Sequence, residues 1–155
     1  MCDDYQNRLL SRTLALARRG GSDVNPNPMV GAVITKNGRV IAEGFHARYG
    51  ELHAETAALQ EAGDAARGGT LYCNLEPCSF EGHGKHQPPC TRAIIAAGIR
   101  RVVIGQLDPN PRVRGAGVAQ LLQAGVEVEV RDDEPSWRLN EVFNTHMTAP
   151  RPYVH

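Results

Sequence analysis

Residues 51–78 read ELHAETAALQEAGDAARGGTLYCNLEPC, and this stretch decides the fold. Its first part, Glu51 to Ala62, predicts a helix with an apolar side. Gly68-Gly69 ends the connection, and the apolar run Thr70 to Leu75 predicts a buried strand. A helix followed by a buried strand is half of a crossover unit, so parallel strand pairing is expected from here onward.

The alternation continues on both sides of this stretch. Apolar periodicity and turn residues predict a helix at 5–19, strands at 29–35 and 39–45, a helix at 90–97, a strand at 101–106, a helix at 117–124 and a strand at 126–130. Asn37-Gly38 is a hairpin turn, so the first two strands are expected to be antiparallel. The order predicts a three-layer α/β/α fold with a mixed five-stranded sheet. Residues 132–155 are expected to form one more helix and a linker.

Length and charge limit the function classes. The 155 residues suit one domain spanning 1–155, and 17 basic residues balance 17 acidic ones. No broad basic surface for nucleic acid is expected. No signal peptide or membrane-spanning run is visible, so a cytoplasmic protein that does not associate with membranes is expected. Cysteines in that compartment serve as metal ligands or core residues more often than in disulfides.

Chemistry-bearing residues fall where predicted loops meet predicted elements. His53-Ala54-Glu55 lies at the start of a helix, Cys78 follows a strand, and Cys90 begins the next helix. Side chains two residues apart on a helix do not share a face, so His53 and Glu55 are expected to have different roles. The amides at a helix start favour a thiolate at Cys90.

One imidazole and two thiolates make three ligands for a single catalytic Zn²⁺ per chain, leaving the fourth position for water. Zinc lowers the pKa of its bound water toward about 7. Glu55 is then placed to transfer protons, and the pattern His-x-Glu followed by Pro-Cys is typical of zinc deaminases.

The alternative interpretation is structural. Cys78 and Cys90 could be buried small side chains and His53 a helix cap, and a non-catalytic zinc module would need a fourth protein ligand from Cys73, His83 or His86. Cys73 lies inside an apolar strand and is expected to be a core residue.

The chain resembles the cytidine-deaminase superfamily, and within it the riboflavin-biosynthesis branch represented by the RibD proteins. The segments that carry the resemblance are NPNPMVGAVI (25–34), GFHARYGELHAE (44–55), TLYCNLEPCS (70–79), QPPC (87–90), DPNPRVRGAG (108–117) and RLNEVFNTHMTAPRPYV (138–154). Most superfamily members have two residues between the cysteines, whereas eleven intervene here, from Ser79 to Pro89.

The resemblance implies hydrolytic loss of the 2-amino group from 2,5-diamino-6-ribosylamino-4(3H)-pyrimidinone 5′-phosphate, which gives the aminouracil and ammonia. It implies substrate contacts from Asn27, His46, Lys85, Asp108 and Asn110. Each of these residues also has a simpler explanation as a turn, packing or solvated residue.

Departures from the family pattern keep other substrates open. Phe80 stands where the family usually has histidine, and the loop between Cys78 and Cys90 is longer than usual. A deaminase for cytosine, guanine or dCMP is therefore the alternative. The chain ends where the family's reductase begins, so a stand-alone deaminase and an excised domain both fit, with no NADPH-dependent reduction expected. A separate or fused reductase partner and a homo-oligomer both remain open.

Overall fold

The computed structural model describes residues 3–24, 27–79 and 89–148. The helices are α1 (Asp3–Arg18), α2 (Ala54–Ala62), α3 (Cys90–Ala96), α4 (Ala116–Gln123), α5 (Glu134–Leu139) and α6 (Glu141–Thr148). The strands are β1 (Gly31–Lys36), β2 (Arg39–Phe45), β3 (Thr70–Cys73), β4 (Arg101–Ile104) and β5 (Glu127–Val130). Among these described helices, none is both long and apolar enough to cross a bilayer.

The five strands form one mixed sheet in the order β2-β1-β3-β4-β5. β1 pairs antiparallel with β2 and β3, while β3, β4 and β5 run parallel to one another. The predicted hairpin is confirmed, since Asn37 and Gly38 both have positive φ, 54° and 77°. Parallel pairing begins at β3, as the crossover pattern predicted.

Helices cover both faces of the sheet, which confirms the three-layer prediction. On one face, α2, α3 and α4 pack on a large apolar cluster that contains Ile34, Leu71, Ile94 and Val102. On the other face, α1 packs through Leu9, Leu10 and Leu16 on Val33, Tyr72 and Val103. Alternate residues of the central strands therefore enter opposite cores, as the two-residue period of a strand requires.

Close backbone contacts fix α2 on the sheet. A Cβ at Gly44 in β2 would lie 2.5 Å from the carbonyl oxygen of Ala54 and 2.7 Å from the amide nitrogen of Ala58. Only glycine leaves room for this approach. The first turn of α2 is thus held against β2, and this turn carries the side chains of the candidate site.

The C-terminal segment differs from the prediction of one helix, because two short helices form there. Asp133 caps α5 by accepting a hydrogen bond from the Ser136 amide, and Asn140 then leaves the helical conformation at φ −109° and ψ 35°. The predicted helix at 51–62 also begins later, at Ala54, because His53 is extended at φ −69° and ψ 159°. Residues 149–155 of the predicted linker lie outside the described residues.

Candidate metal centre

Three loop-to-element junctions meet beyond the end of β3. His53 is the N-cap residue of α2, Cys90 is the first residue of α3, and Cys78 lies in the loop that follows β3. α2 precedes β3 and α3 precedes β4, and these two strands are neighbours in the sheet. The N-termini of α2 and α3 therefore lie side by side. The sequence-predicted ligands are therefore brought together by the crossover connections.

The geometry of these three side chains fits a zinc ion. His53 Nδ1 lies 3.2 Å from Cys90 Sγ and 3.9 Å from Cys78 Sγ, and all three ligand atoms lie within 4.8 Å of one another. Tetrahedral zinc with ordinary bond lengths places a nitrogen and a sulfur ligand about 3.5 Å apart, and two sulfurs about 3.8 Å apart. The two distances from His53 Nδ1 to the cysteine sulfurs lie on either side of the nitrogen–sulfur value. Among the described residues this is the one cluster suited to a metal.

The N-terminus of α3 acts on Cys78 rather than on Cys90. The Cys90 amide donates to Cys78 Sγ at 3.2 Å, and the Thr91 amide donates to the Cys78 carbonyl at 3.1 Å. A hydrogen bond with Cys78 and burial raise the pKa of the Cys90 thiol and so favour its protonated form, while the predicted effect of the helix start on this thiol stays a prediction. A bound metal cation reverses this preference, since a coordinating thiol is deprotonated.

Glu55 lies in the first turn of α2 and is 4% exposed. Burial raises the pKa of its carboxyl above the usual range, while His53 and a hydrogen bond with Cys90 oppose that shift. A buried carboxyl beside the ligand cluster is placed to take up and release a proton during a reaction. His53 thus belongs to the ligand cluster and Glu55 lies beside it, and the different roles that their spacing predicts stay a prediction.

His46 and Asn27 form a hydrogen-bonded pair next to the ligand cluster. The His46 ring lies edge-on to the His53 ring, with centroids 5.4 Å apart. His46 Nδ1 lies 3.0 Å from the Leu52 carbonyl and Nε2 lies 3.2 Å from Asn27 Nδ2. Burial lowers the pKa of His46. Since a carbonyl can only accept, a neutral ring carries its proton on Nδ1 and accepts from the Asn27 amide through Nε2.

Asp108 and Asn110 shape their own turn. The Asp108 carboxylate accepts a hydrogen bond from the Asn110 amide at 2.9 Å, and Asn110 Oδ1 accepts from the Arg112 amide at 3.0 Å. Burial raises the pKa of the Asp108 carboxyl, which the Asn110 amide partly offsets. The structure therefore shows the turn role of both residues directly.

Glu76 organises this turn and was missed in the sequence. Its buried carboxylate accepts hydrogen bonds from the amides of Asp108 at 2.9 Å, Gly115 at 3.1 Å and Val118 at 3.0 Å. Its own amide donates to the Gln106 carbonyl at 2.8 Å. One residue thus joins the Cys78 loop to the 108–118 segment. An acidic residue two positions before Cys78, in an otherwise apolar run, was the only available signal.

The remaining sequence-predicted residues divide into two groups. Lys85, Phe80, His83 and His86 lie outside the described residues. Cys73 is fully buried in β3 and its thiol lies near the Val103 carbonyl, which confirms that it is a core residue rather than a fourth ligand.

Comparison with known proteins shows which family this chain is similar to. Residues 4–106 match the model of the cytidine and deoxycytidylate deaminase zinc-binding region. The riboflavin biosynthesis protein RibD of Synechocystis is 48% identical over 145 residues, which are 93% of this chain and 39% of that protein.

Solved structures agree with this match. A RibD structure from Acinetobacter baumannii has a TM-score of 0.91 at 40% identity and covers 97% of this chain and 42% of its own. The Thermotoga maritima diaminohydroxyphosphoribosylaminopyrimidine deaminase/5-amino-6-(5-phosphoribosylamino)uracil reductase has a TM-score of 0.87 at 44% identity and covers 97% of this chain and 43% of its own. This chain thus spans about two fifths of the length of these relatives.

Proposed function

Because the chain belongs to the cytidine and deoxycytidylate deaminase family, we propose that it removes the 2-amino group of 2,5-diamino-6-ribosylamino-4(3H)-pyrimidinone 5′-phosphate by hydrolysis. The products are the 5-amino-6-(5-phosphoribosylamino)uracil and ammonia. The observation that carries the proposal is the buried Glu55 carboxyl beside His53, Cys78 and Cys90. The similarity to RibD proteins over most of the chain supports the choice of substrate.

His53, Cys78 and Cys90 would hold one zinc ion, because their donor atoms have the spacing and chemistry of a three-ligand site. When bound, zinc would lower the pKa of a coordinated water and so supply a nucleophile at neutral pH. The protein holds the ligands rigidly, since His53 and Cys90 lie at helix starts and the Cys90 amide fixes Cys78.

Glu55 would move the protons of the reaction. Its carboxylate accepts a proton from the attacking water and delivers it to the ring nitrogen next to the attacked carbon. The second proton of that water then passes through Glu55 to the departing amine, which leaves as ammonia while the carbonyl forms. Burial of Glu55 excludes bulk water from both transfers, and its raised pKa suits a group that must hold a proton between them.

The neighbouring polar residues would bind and orient the substrate. Asn27 is fixed by His46, so its amide oxygen is presented in one orientation for a hydrogen bond with the pyrimidine. Asp108 and Asn110 would meet the ribose phosphate part through the turn that Glu76 holds. Lys85 would add a positive charge toward the phosphate. A reductase acting on the product would be supplied in trans or by a fused domain.

The test is ammonia release by zinc-loaded protein from this phosphorylated pyrimidine, with Glu55→Gln beside it. The variant is expected to retain zinc but to lose activity by at least ~100-fold, the usual contribution of a positioned acid–base group. Glu134→Gln is the matched control, because Glu134 is an exposed residue of α5 with an ion pair to Arg138. It should remain fully active.

Two results would contradict the proposal. Full activity of Glu55→Gln would refute the proton-transfer role. A folded, zinc-replete protein that releases no ammonia from this compound, but does so from dCMP, cytosine or guanine, would assign the site to another substrate. Failure with all four compounds would favour a non-catalytic zinc module.

A further inference from the structure

The backbone of Met29 is held on both sides of its Cα by a side chain from the C-terminal helices. Asn140 Oδ1 accepts a hydrogen bond from the Met29 amide at 2.8 Å, and Asn140 Nδ2 donates to the Met29 carbonyl at 2.8 Å. The two residues are 111 positions apart in sequence, and Asn140 is 4% exposed. A buried side-chain amide that satisfies both backbone polar groups of one residue holds the two peptide groups on either side of its Cα.

The segment that follows Met29 is also fixed by hydrogen bonds. Asn74, which is fully buried after β3, donates to the Met29 carbonyl at 3.1 Å and accepts from the Gly31 amide at 2.8 Å. The His46 amide donates to the Val30 carbonyl at 3.1 Å. The Met29 carbonyl thus uses both of its lone pairs, one for Asn74 and one for Asn140.

The segment that precedes Met29 carries Asn27. Pro28 lies between them, and its ring restricts the backbone, so the orientation of the Pro28–Met29 peptide group, whose N–H bonds Asn140, is passed to Asn27 with little freedom. Asn27 Nδ2 lies 3.2 Å from His46 Nε2, and the His46 ring contacts His53. A continuous set of contacts therefore runs from Asn140 through Met29 to Asn27 and the metal centre.

Asn140 is itself held in place before it contacts Met29. It ends α5, and its carbonyl accepts the first hydrogen bond of α6, from the Asn144 amide at 2.8 Å. The Asn144 side chain in turn bonds the buried Gln106 side chain, at the end of β4. The break between α5 and α6 is thus the feature that turns the Asn140 side chain toward Met29.

We infer that Asn140, at the break between α5 and α6, is a positioning residue for residues 27–30, the substrate loop, which carries Asn27. This inference rests on the proposed function for its effect on substrate binding. Asn140 acts through the Met29 backbone on Asn27, and it does not act on the zinc ligands, since His53 and Cys90 are anchored by α2 and α3 and the Cys90 amide holds Cys78.

The first test does not depend on turnover. In Asn140→Ala, amide exchange at Met29 in the full zinc-loaded chain should accelerate at least tenfold, whereas exchange at Gly31, which Asn74 holds, should change much less. The side-chain amide resonances of Asn27 should shift, because its orientation is released. Unchanged exchange at Met29 or an unchanged Asn27 signal would overturn the inference, even if the protein proves inactive on the pyrimidine.

The second test separates positioning from stability. With the phosphorylated pyrimidine, Asn140→Ala should raise KM about tenfold while kcat stays within about threefold and zinc content stays at one per chain. Asn140→Asp keeps the acceptor for the Met29 amide but loses the donor for its carbonyl, so its KM should be intermediate. Leu9→Ala, in the apolar cluster between α1 and the sheet, is the stability control.

Leu9→Ala lowers the unfolding temperature without touching the substrate loop, so its KM should equal that of the wild type. An equal rise of KM in Leu9→Ala would show that Asn140 has a merely structural role. A fall in kcat or zinc content with an unchanged KM would also overturn the inference. A wild type that does not turn over the pyrimidine would refute the proposed function alone, since exchange at Met29 and the Asn27 signal still decide the role of Asn140.

Discussion

Replacing Glu76 by glutamine should destabilise the protein by ~3 kcal/mol. The Glu76 carboxylate accepts the Asp108 and Gly115 amides through Oε1 and the Val118 amide through Oε2. A glutamine carbonyl can keep the first two bonds, but its NH₂ group then faces the Val118 N–H, donor against donor. A buried unpaired N–H costs roughly 1–3 kcal/mol, and each remaining bond loses its charge assistance, roughly 0.5–1 kcal/mol.

Thermal unfolding of the zinc-loaded protein at a fixed zinc concentration measures this loss. For a chain of this size, 1 kcal/mol shifts the unfolding temperature by roughly 2–4 °C, so Glu76→Gln should unfold about 6–12 °C lower. Glu134→Gln, whose carboxylate is exposed and pairs only with Arg138, should shift it by less than about 2 °C. A shift in Glu76→Gln as small as in that control would refute the view that Glu76 holds the 108–118 segment.

Three further changes test the site and the packing around it. Cys90→Ser should weaken zinc binding, measured by chelator competition, by more than the roughly 10–100-fold lost when a residue that only hydrogen-bonds a ligand is replaced. Unchanged zinc affinity would show that Cys90 is not a ligand. Gly44→Ala should cost roughly 1–3 kcal/mol in chemical denaturation, because its Cβ meets the Ala54 carbonyl, and a neutral result would contradict the close packing. The hydrogen bond from Arg12 lowers the pKa of Glu43 in the folded protein below its value in the unfolded chain. The stabilisation by this pair is therefore complete above the unfolded pKa and is lost as the pH falls through the folded pKa. Arg12→Ala should therefore lower stability at neutral pH by less than about 1 kcal/mol and leave acid stability unchanged, and an equal loss at both pH values would disprove the linkage.

Much of the fold was predictable because its signals are local. Glycine and asparagine at the hairpin and the two-residue and helical periods of the apolar residues predicted the order of elements up to β5. These local signals could not predict that the helix is interrupted at Asn140, because the polar tail has no glycine or proline at that position. The break depends on the cap at Asp133 and on buried partners of Asn140 that lie far away in sequence.

The sequence by itself determined the zinc-ligand candidates. His53, Cys78 and Cys90 stand at junctions that any crossover fold brings to one end of the sheet, and Glu55 follows from its place in the first turn of α2. Only the tertiary structure decided which polar residues hold that end together. Glu76 and Asn140 each bond the backbone of a distant segment, and such partners are set by the packing of helices on the sheet rather than by any local period. Ligand residue types are chosen by the chemistry of the ion, whereas a backbone amide can be satisfied by any acceptor that the fold brings within reach.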